Sequence, residues 1–329
     1  MSRLYHSGIA TFMGAPIASP KNLEPGTLAV LGIPYDYASG SRPGARWGPR
    51  AIRQSSLFFD YFFSASSDQE YIEIGTGKTF RFNPDIPLVD LGDVELYPMD
   101  VARTTETISR FLQEVTEKEA LPLILGGDHY VTYPAFCGFA RGVKKITPSK
   151  RVGYVHLDAH FDLFDDHPAW GRLYHGSTVR RIAESQLIDP SHILIAGVSG
   201  FIGAEWYEFL QRNKIKVLPL RDLRSLGIEP ALRSGMDSLA GQVDVIYLSI
   251  DIDLVSSAFA PGTGGITFDG VTDVQLLEMM SVLKKYPVGA VDVVEVAPNY
   301  DASERTQRLA AQLLFDFIMH RGNTLETKK

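Results

Sequence analysis

Several features that would place a chain in a specialised class are missing from this sequence. Its 329 residues include a single cysteine, Cys137, so no intrachain disulfide can form and a reducing compartment is favoured. No uninterrupted apolar run approaches the ~18 residues that would cross a bilayer. Residues 1–16 lack the basic start and apolar core of a signal peptide. We therefore expect a cytoplasmic protein with no membrane partner.

Runs of basic residues and phosphate-binding loops are also missing. The net charge is −7, and no Lys/Arg-rich stretch occurs, so nucleic acid is not an expected partner. The glycines of GTGG at 262–265 lack the spacing of a dinucleotide-binding loop. Apolar residues make up 45% of the chain and charged residues 22%, which is typical of a globular protein. Because no linker divides the chain, we expect residues 1–329 to form a single domain.

What the chain does contain is a recurring short apolar run that ends in a turn or a polar cluster. Such runs, rich in Val, Ile and Leu, predict strands that are buried on both faces of a parallel sheet. Helical patterns separate many of them, which indicates βαβ units. The eight runs cover 27–34, 86–93, 121–128, 151–158, 192–198, 215–222, 244–251 and 288–295. The helical patterns cover about 99–119, 132–142, 176–186, 203–213, 271–285 and 302–320.

The region 35–85 differs from the rest of the chain. It is rich in Gly, Pro, Ser and aromatic residues, and it fits neither pattern well. We expect long excursions here, which in a compact protein are usually functional or take part in assembly. This region is therefore a candidate for subunit contacts.

Ionisable residues crowd the end of the fourth apolar run, HLDAHFDLFDD at 156–166. Asp158, His160 and Asp162 are spaced i, i+2 and i+4, so on an extended segment their side chains point to one side. Two carboxylates and an imidazole that converge in this way predict a site for a first-row metal. The alternative is a strand end with solvated aspartates. His156 shares the same parity but flanks the trio, and we expect it to be a structural neighbour.

Two more strand ends carry residues of the same kind. Asp251 and Asp253 follow one apolar run, and Asp128 and His129 follow another after a pair of glycines. Together these ends offer more ligands than one Zn²⁺ site uses, and they suit two divalent cations that share carboxylates. Carboxylate and imidazole ligands without a thiolate favour Mn²⁺, while Ni²⁺, Co²⁺ and Zn²⁺ stay as alternatives.

Four ordered motifs resemble those of the ureohydrolases, the family that includes arginases and agmatinases. They are GGDH at 126–129, DAHFD at 158–162, SIDID at 249–253 and VVEVAPNYD at 293–301. The N-terminal stretches GIPYD and SRPGARWGPRAIR are similar to the agmatinase branch. The resemblance implies a three-layer α/β/α sandwich around an eight-stranded, mainly parallel sheet. It also implies homotrimers or homohexamers.

The same resemblance implies roles for individual residues. It makes His129 and Asp162 ligands of one metal, His160 and Asp253 ligands of the other, and Asp158 and Asp251 the bridging carboxylates. In the family, a hydroxide held between two metals, usually Mn²⁺, attacks the guanidinium carbon and urea is released. Asp128 is expected to be a turn residue or a partner of the ligands.

Two further residues have implied catalytic roles. Glu295 ends the last apolar run and would receive a guanidinium through charge-assisted hydrogen bonds, although a strand-end glutamate can also simply be solvated. His175, in LYHGSTVRR, matches the family's proposed proton shuttle, and an imidazole suits that task near neutral pH. The alternative for His175 is a loop or helix-capping histidine.

The guanidino substrate is less clear from the sequence. Ala297 in VEVAPNYD resembles agmatinase-like enzymes, which favours agmatine. However, Gly265 and Ile266 stand where that branch usually has Thr-Pro. Asp165, Asp166 and Trp170 are candidates to contact the substrate tail. The alternatives are 4-guanidinobutyrate, 3-guanidinopropionate, free guanidine, and a non-catalytic family member that binds or regulates.

Overall fold

A computed structural model describes residues 8–40, 42–62, 70–74, 77–81 and 86–321 of the chain. Its centre is an eight-stranded sheet, and a separate two-stranded antiparallel hairpin consists of β2 (Tyr71–Ile72) and β3 (Thr79–Phe80). The eight strands of the sheet are β1 (Leu28–Gly32), β4 (Leu88–Asp93), β5 (Leu121–Leu125), β6 (Val152–Leu157), β7 (Ile193–Ala196), β8 (Lys216–Leu218), β9 (Val245–Asp251) and β10 (Val288–Val294). Each of the eight predicted apolar runs contains one of them.

All neighbouring strands of the large sheet run parallel, in the order β4-β1-β5-β10-β9-β6-β7-β8. The prediction of a mainly parallel sheet is therefore confirmed. The order places β5, β10, β9 and β6 side by side in the middle. Parallel strands end at the same edge of a sheet, so the polar segments that follow these four strands meet there.

Helices cover both faces of the sheet. They are α1 (Gly48–Phe62), α2 (Val101–Glu117), α3 (Thr132–Ile146), α4 (Thr178–Glu184), α5 (Ala204–Arg212), α6 (Leu220–Leu226), α7 (Ile228–Ala240), α8 (Asp273–Leu283) and α9 (Arg305–Arg321). Buried residues of α1 and α6–α9 form one apolar cluster against the sheet, and those of α2–α5 form a second cluster. This is the three-layer α/β/α sandwich that the resemblance implied.

The strands divide their side chains between the two clusters by simple alternation. Leu123 and Leu125 of β5 belong to the first cluster, and Ile124 between them belongs to the second. All three are fully buried. A strand that is covered on both faces has few positions for a polar side chain, which explains the near-continuous apolar runs. Most polar residues therefore lie at the strand ends, and the exceptions inside strands, such as Ser249 and Asp292, are fully buried.

The 35–85 region is not the uniform excursion that its composition suggested. Helix α1 occupies Gly48–Phe62 and packs on α9, where the rings of Phe59 and Phe315 stack with their centroids 4.5 Å apart. Helices α6 and α7 were also not predicted. Gly227 and Pro230 resemble helix breakers in the sequence, yet Gly227 adopts φ 88° between the two helices and Pro230 lies in the first turn of α7, where proline is tolerated. The helical patterns at 99–119, 132–142, 176–186, 203–213, 271–285 and 302–320 each coincide with a helix, although α3 and α9 end beyond the predicted ranges.

Gly127 allows the backbone that follows β5 to approach the chain that follows β1. A Cβ atom at this position would lie 1.8 Å from the carbonyl oxygen of Tyr35. The same turn fixes the segment after β10, because the Glu295 amide donates to the Gly127 carbonyl at 2.8 Å. The close approach expected from the paired glycines is thus present, and it joins three segments at the carboxyl edge of the sheet.

Substitution Gly127→Ala should destabilise the protein, because the added methyl group forces two backbone segments apart. We expect a loss of about 1–3 kcal/mol in the free energy of unfolding, measured by urea denaturation followed by circular dichroism. Gly241→Ala is the matched control, since Gly241 has φ −68° and a Cβ there would meet its nearest atom at an ordinary 3.5 Å. Equal stability of both variants would contradict the close-approach argument.

Candidate metal centre

Side chains at the ends of three of the four central strands converge on one point. His129 follows β5, Asp158 and Asp162 follow β6, and Asp251 ends β9. His129 Nδ1 lies 3.0 Å from Asp158 Oδ2, 3.2 Å from Asp162 Oδ2 and 3.0 Å from Asp251 Oδ2. Neighbouring ligands of one cation with bonds of about 2.0–2.2 Å have separations of this size. These four side chains could therefore hold one metal ion.

A second group of ligands adjoins the first through Asp158. His160 Nδ1 lies 3.3 Å from Asp158 Oδ1 and 3.2 Å from Asp253 Oδ2. Asp158 thus turns one carboxylate oxygen to each group, as a bridging ligand would. Asp251 Oδ2 faces His129, and its other oxygen accepts the Asp253 amide at 2.8 Å. His160, Asp253 and Asp158 could hold a second ion.

The hydrogen bonding of these side chains fits the binding of cations. Among the expected ligands, four buried side-chain atoms have no hydrogen-bond partner: His129 Nδ1, Asp158 Oδ2, Asp162 Oδ2 and Asp253 Oδ1. Further buried atoms of the described residues are in the same condition, and two of them, His156 Nε2 and Asp128 Oδ1, lie beside the ligands. Buried polar atoms are normally paired, and an unpaired one costs about 1–3 kcal/mol. Because all four atoms belong to the expected ligands, bound cations would remove the cost at every one of them.

The pKa values of most of these carboxylates are raised, because burial opposes their ionisation. Burial raises the pKa of Asp251 and Asp253, and repulsion from nearby carboxylates raises both further. Burial and the charge of Asp158 raise the pKa of Asp162 to about 6. Burial also opposes ionisation of Asp158, but His156 and His129 hold its pKa well below the usual range. Divalent cations would favour the ionised form of every one of these groups.

The backbone is strained at two positions of the site. Asp162 has φ 48° and Glu295 has φ 62°, in the left-handed region that residues with a Cβ rarely occupy. Such conformations cost of order 1–3 kcal/mol each and cluster at functional sites. At both positions the unusual turn directs a carboxylate into the site. Sequence reasoning had no signal for this feature, since neither residue is a glycine or an asparagine.

Glu295 and His175 lie together beside the ligands. Glu295 Oε1 accepts the backbone amide of His129 at 2.8 Å and lies 3.3 Å from His175 Nδ1. Burial disfavours the protonated imidazole of His175, but the hydrogen bond and charge of Glu295 prevail and raise its pKa to about 9. Asp128 also supports this corner, because its Oδ2 accepts the Ala38 amide at 2.9 Å and the Ala38 carbonyl accepts the His175 amide at 3.0 Å.

A layer of buried polar residues below the ligands was missed in the sequence, although some of these residues lie inside the predicted strands. His129 Nε2 lies 3.0 Å from Ser249 Oγ, which orients the ring so that Nδ1 faces the carboxylates. Thr132 Oγ1 and the Tyr247 hydroxyl donate to the fully buried Asp292 at 2.8 and 2.7 Å. The available signal was the presence of Ser249 and Asp292 within otherwise apolar runs. Such partners fix the orientation of metal-binding histidines.

His156 is in direct contact with two of the expected metal ligands. Its Nε2 is 3.0 Å from Asp158 Oδ2, and its ring stacks on that of His129 with centroids 4.8 Å apart. The Tyr154 hydroxyl lies 3.1 Å from His156 Nδ1 and holds the ring in this orientation. His156 therefore confines the same Asp158 oxygen that faces His129.

A cavity of about 330 Å³ opens above the two groups of ligands. His129, His160, Asp162, Asp251, Asp253, Glu295 and His175 lie at its base. Its outer wall is mostly aromatic and includes Phe161, Phe164, His167, Trp170, Tyr174, Phe201 and Trp206. Within the part of the chain that the structure describes, no Lys or Arg lines this cavity.

The three candidate tail-contacting residues separate in the structure. Trp170 lines the cavity, whereas Asp165 and Asp166 do not. Asp165 pairs with Arg172 and Arg181, both at 2.7 Å, and with Arg180 at 3.3 Å. The hydrogen bond from Arg181 is the main reason why its pKa is lowered. Asp166 is exposed. The carboxylates that looked available for a cationic tail therefore lie elsewhere.

Comparison with known proteins agrees with this geometry. A profile described as "Arginase family" matches residues 27–320. A guanidinobutyrase of Pseudomonas aeruginosa is 30% identical over 314 residues, which are 94% of this chain and 92% of that protein. A mitochondrial agmatinase of Gallus gallus is also 30% identical over 314 residues, 94% of this chain and 85% of that protein.

A solved structure shares the fold over nearly the whole length. The proclavaminate amidino hydrolase of Streptomyces clavuligerus superposes with a TM-score of 0.79 at 28% identity and covers 97% of this chain and 98% of its own. No helix in the described residues is long and apolar enough to cross a membrane. With its ligand-bearing strand ends and these likenesses, the chain belongs to the arginase family and is an amidinohydrolase that acts on carbon–nitrogen bonds of guanidino compounds.

Proposed function

We propose that this protein is a binuclear-metal amidinohydrolase that releases urea from agmatine and leaves putrescine. The observation that carries the proposal is the cavity. Its base combines two groups of metal ligands with Glu295, and its wall contains no Lys or Arg among the residues that the structure describes. Such a base suits a guanidinium, and such a wall gives no partner to a negatively charged tail. We further propose Mn²⁺ as the metal and a homotrimer or homohexamer as the assembly.

Six side chains would hold the cations. His129 and Asp162 would bind one ion, His160 and Asp253 the other, and Asp158 and Asp251 would be shared. When bound, two divalent cations lower the pKa of a shared water enough to supply a nucleophile near neutral pH. The protein's part is to keep the ligands ionised and rigid, which the buried partners Ser249 and Asp292 assist.

Glu295 would orient the substrate. Its carboxylate is buried, lines the cavity and is fixed by the His129 amide. A guanidinium donates paired hydrogen bonds to a carboxylate, and such charge-assisted bonds are about twice as strong as neutral ones. This contact would set the guanidinium carbon over the metal ligands. The positive charge of the substrate would also compensate Glu295 in its buried position.

His175 would move the proton that the departing amine needs. Its imidazole lines the same cavity, and Nδ1 is held by Glu295. The pKa of about 9 in the metal-free site means that His175 can be protonated at neutral pH and can act as a general acid. Bound substrate and cations would lower that pKa by repulsion, which favours proton release.

A guanidino acid is the second candidate substrate. The similarity to a guanidinobutyrase favours it, because that relative is as similar to this chain as the agmatinase is. 3-Guanidinopropionate and free guanidine complete the set of alternatives. A non-catalytic role would be expected to accompany lost ligands, and here all six positions are present with Glu295 and His175.

A urea-release assay with the purified protein tests the substrate directly. Agmatine, arginine, 4-guanidinobutyrate, 3-guanidinopropionate and guanidine are compared, each with Mn²⁺ and with Ni²⁺. We expect the highest kcat/KM for agmatine with Mn²⁺. A higher kcat/KM for a guanidino acid would exclude the agmatine assignment, and no urea from any compound would exclude the proposed activity.

Asp158→Asn should disrupt both metal sites, because one lost carboxylate faces both groups of ligands. We expect metal content, measured by mass spectrometry after dialysis, to fall below two ions per subunit, and kcat/KM to fall by more than about 100-fold. Asp244→Asn is the matched control, since Asp244 pairs with Arg151 on the surface near the opposite edge of the sheet. Two retained ions with normal turnover in Asp158→Asn would contradict the site assignment.

His175→Asn should slow turnover and leave the metals bound, because the side chain contacts Glu295 rather than the ligands' donor atoms. General acid–base catalysis by a side chain contributes about 10²–10⁴-fold, so kcat should fall within that range. Steady-state kinetics between pH 6 and 9 and metal analysis measure the two effects. An unchanged pH–rate profile would rule out proton transfer by His175.

A further inference from the structure

We propose that Trp170 determines substrate specificity by receiving the distal cationic group of the guanidino compound on its indole ring. This inference rests on the proposed function and names the chemistry that selects the tail. It assigns to an aromatic side chain the role for which the neighbouring aspartates had been considered. The ring is 46% exposed, so a polar group can reach it from the cavity mouth.

Trp170 lies next to His175 in the cavity. The Cβ atom that an alanine at position 40 would carry lies 3.0 Å from His175 Nε2 and 3.4 Å from Trp170 Cε2. The imidazole and the indole therefore border the same small space beside Gly40. Because Glu295 lies at the other nitrogen of His175, a guanidinium on Glu295 would direct its alkyl tail along His175 toward Trp170.

The indole ring is held in place by its surroundings. Its centroid lies 4.2 Å from that of His167 and 5.7 Å from that of Tyr174, which stacks on it at an interplanar angle of 27°. Trp170 also belongs to a tight turn, in which the Gly171 amide donates to the His167 carbonyl at 2.7 Å and the His167 amide donates to the Gly171 carbonyl at 3.0 Å. A fixed ring binds without a large loss of side-chain entropy.

Asp165 serves this arrangement from outside the cavity. Its pairs with Arg180 and Arg181 anchor the segment between Asp162 and His175 to α4. Its pair with Arg172 joins two points within the same segment. The segment that carries Trp170 is thus fixed at a metal ligand, at Asp165 and at His175. The three arginines are directed toward Asp165, which removes them as partners for a substrate carboxylate.

The chemistry of the wall selects a cation. An ammonium group over an aromatic ring is attracted by the ring's quadrupole, most strongly for Trp and less for Tyr or Phe. A carboxylate would lose hydration here and would find no Lys or Arg among the described lining residues. Aromatic rings therefore provide the attraction that a guanidino compound with a terminal ammonium needs, and they disfavour guanidino acids.

The test compares agmatine with pentylguanidine, an analogue with the same guanidinium but an uncharged tail, in the wild-type holoenzyme and in Trp170→Phe and Trp170→Leu. We expect Trp170→Leu to raise KM for agmatine by about 3- to 30-fold with little change in kcat, and Trp170→Phe to lie between. KM for pentylguanidine should change by less than about 3-fold. Trp47→Leu is the matched control, because Trp47 is half exposed and does not line the cavity.

Calorimetric titration of both compounds into the His175→Asn holoenzyme, with and without Trp170→Leu, compares the affinities for the two compounds without relying on turnover. A parallel loss of affinity for both compounds, or a wild-type preference for guanidinobutyrate, would overturn the role of Trp170 and leave the amidinohydrolase activity standing. Absence of urea release from every compound, with the cation preference intact, would instead contradict the proposed function.

Discussion

The repulsion among buried carboxylates at the carboxyl edge of the sheet is the constraint on which the rest of the structure depends. Asp158, Asp162, Asp251 and Asp253 are nearly inaccessible to solvent, and burial and mutual charge oppose ionisation of most of them. Without cations such a cluster would be costly. Bound dications would make the same closeness favourable, because each of the four carboxylates already has an oxygen about 3 Å from a histidine nitrogen.

The parallel sheet makes this cluster possible. Four adjacent strands end at one edge, and each is followed by a short polar segment beyond the apolar layers. Backbone strain is found instead in the turns that follow the strands. There Asp162 and Glu295 adopt left-handed backbone conformations, and Gly127 allows two segments nearly to touch. Rigid strands and tight turns give the positional accuracy that a shared site for two ions requires.

The surroundings of the site divide into two zones of different chemistry. Below the ligands, Ser249, Thr132 and Asp292 form hydrogen bonds that fix His129 in a dry interior. Above them, aromatic rings form a wall in which no Lys or Arg occurs among the residues that the structure describes. The first zone holds the metal ligands in place, and the second contains none of their hydrogen-bond partners. The choice among guanidino substrates therefore falls to the aromatic wall.

The sequence by itself determined the strands of the sheet and predicted a metal site at their ends, because both rest on local patterns. Strands buried on both faces must be continuously apolar, and ligands at i, i+2 and i+4 after a strand must share a side, so eight runs and the residues from Asp158 to Asp162 could be read directly. Helix α1 could not, since its composition resembles a loop and its stability comes from packing on α9. Only the tertiary structure decided that Asp165 pairs with three arginines and that Trp170 faces the cavity, because these contacts join segments whose directions no local pattern specifies.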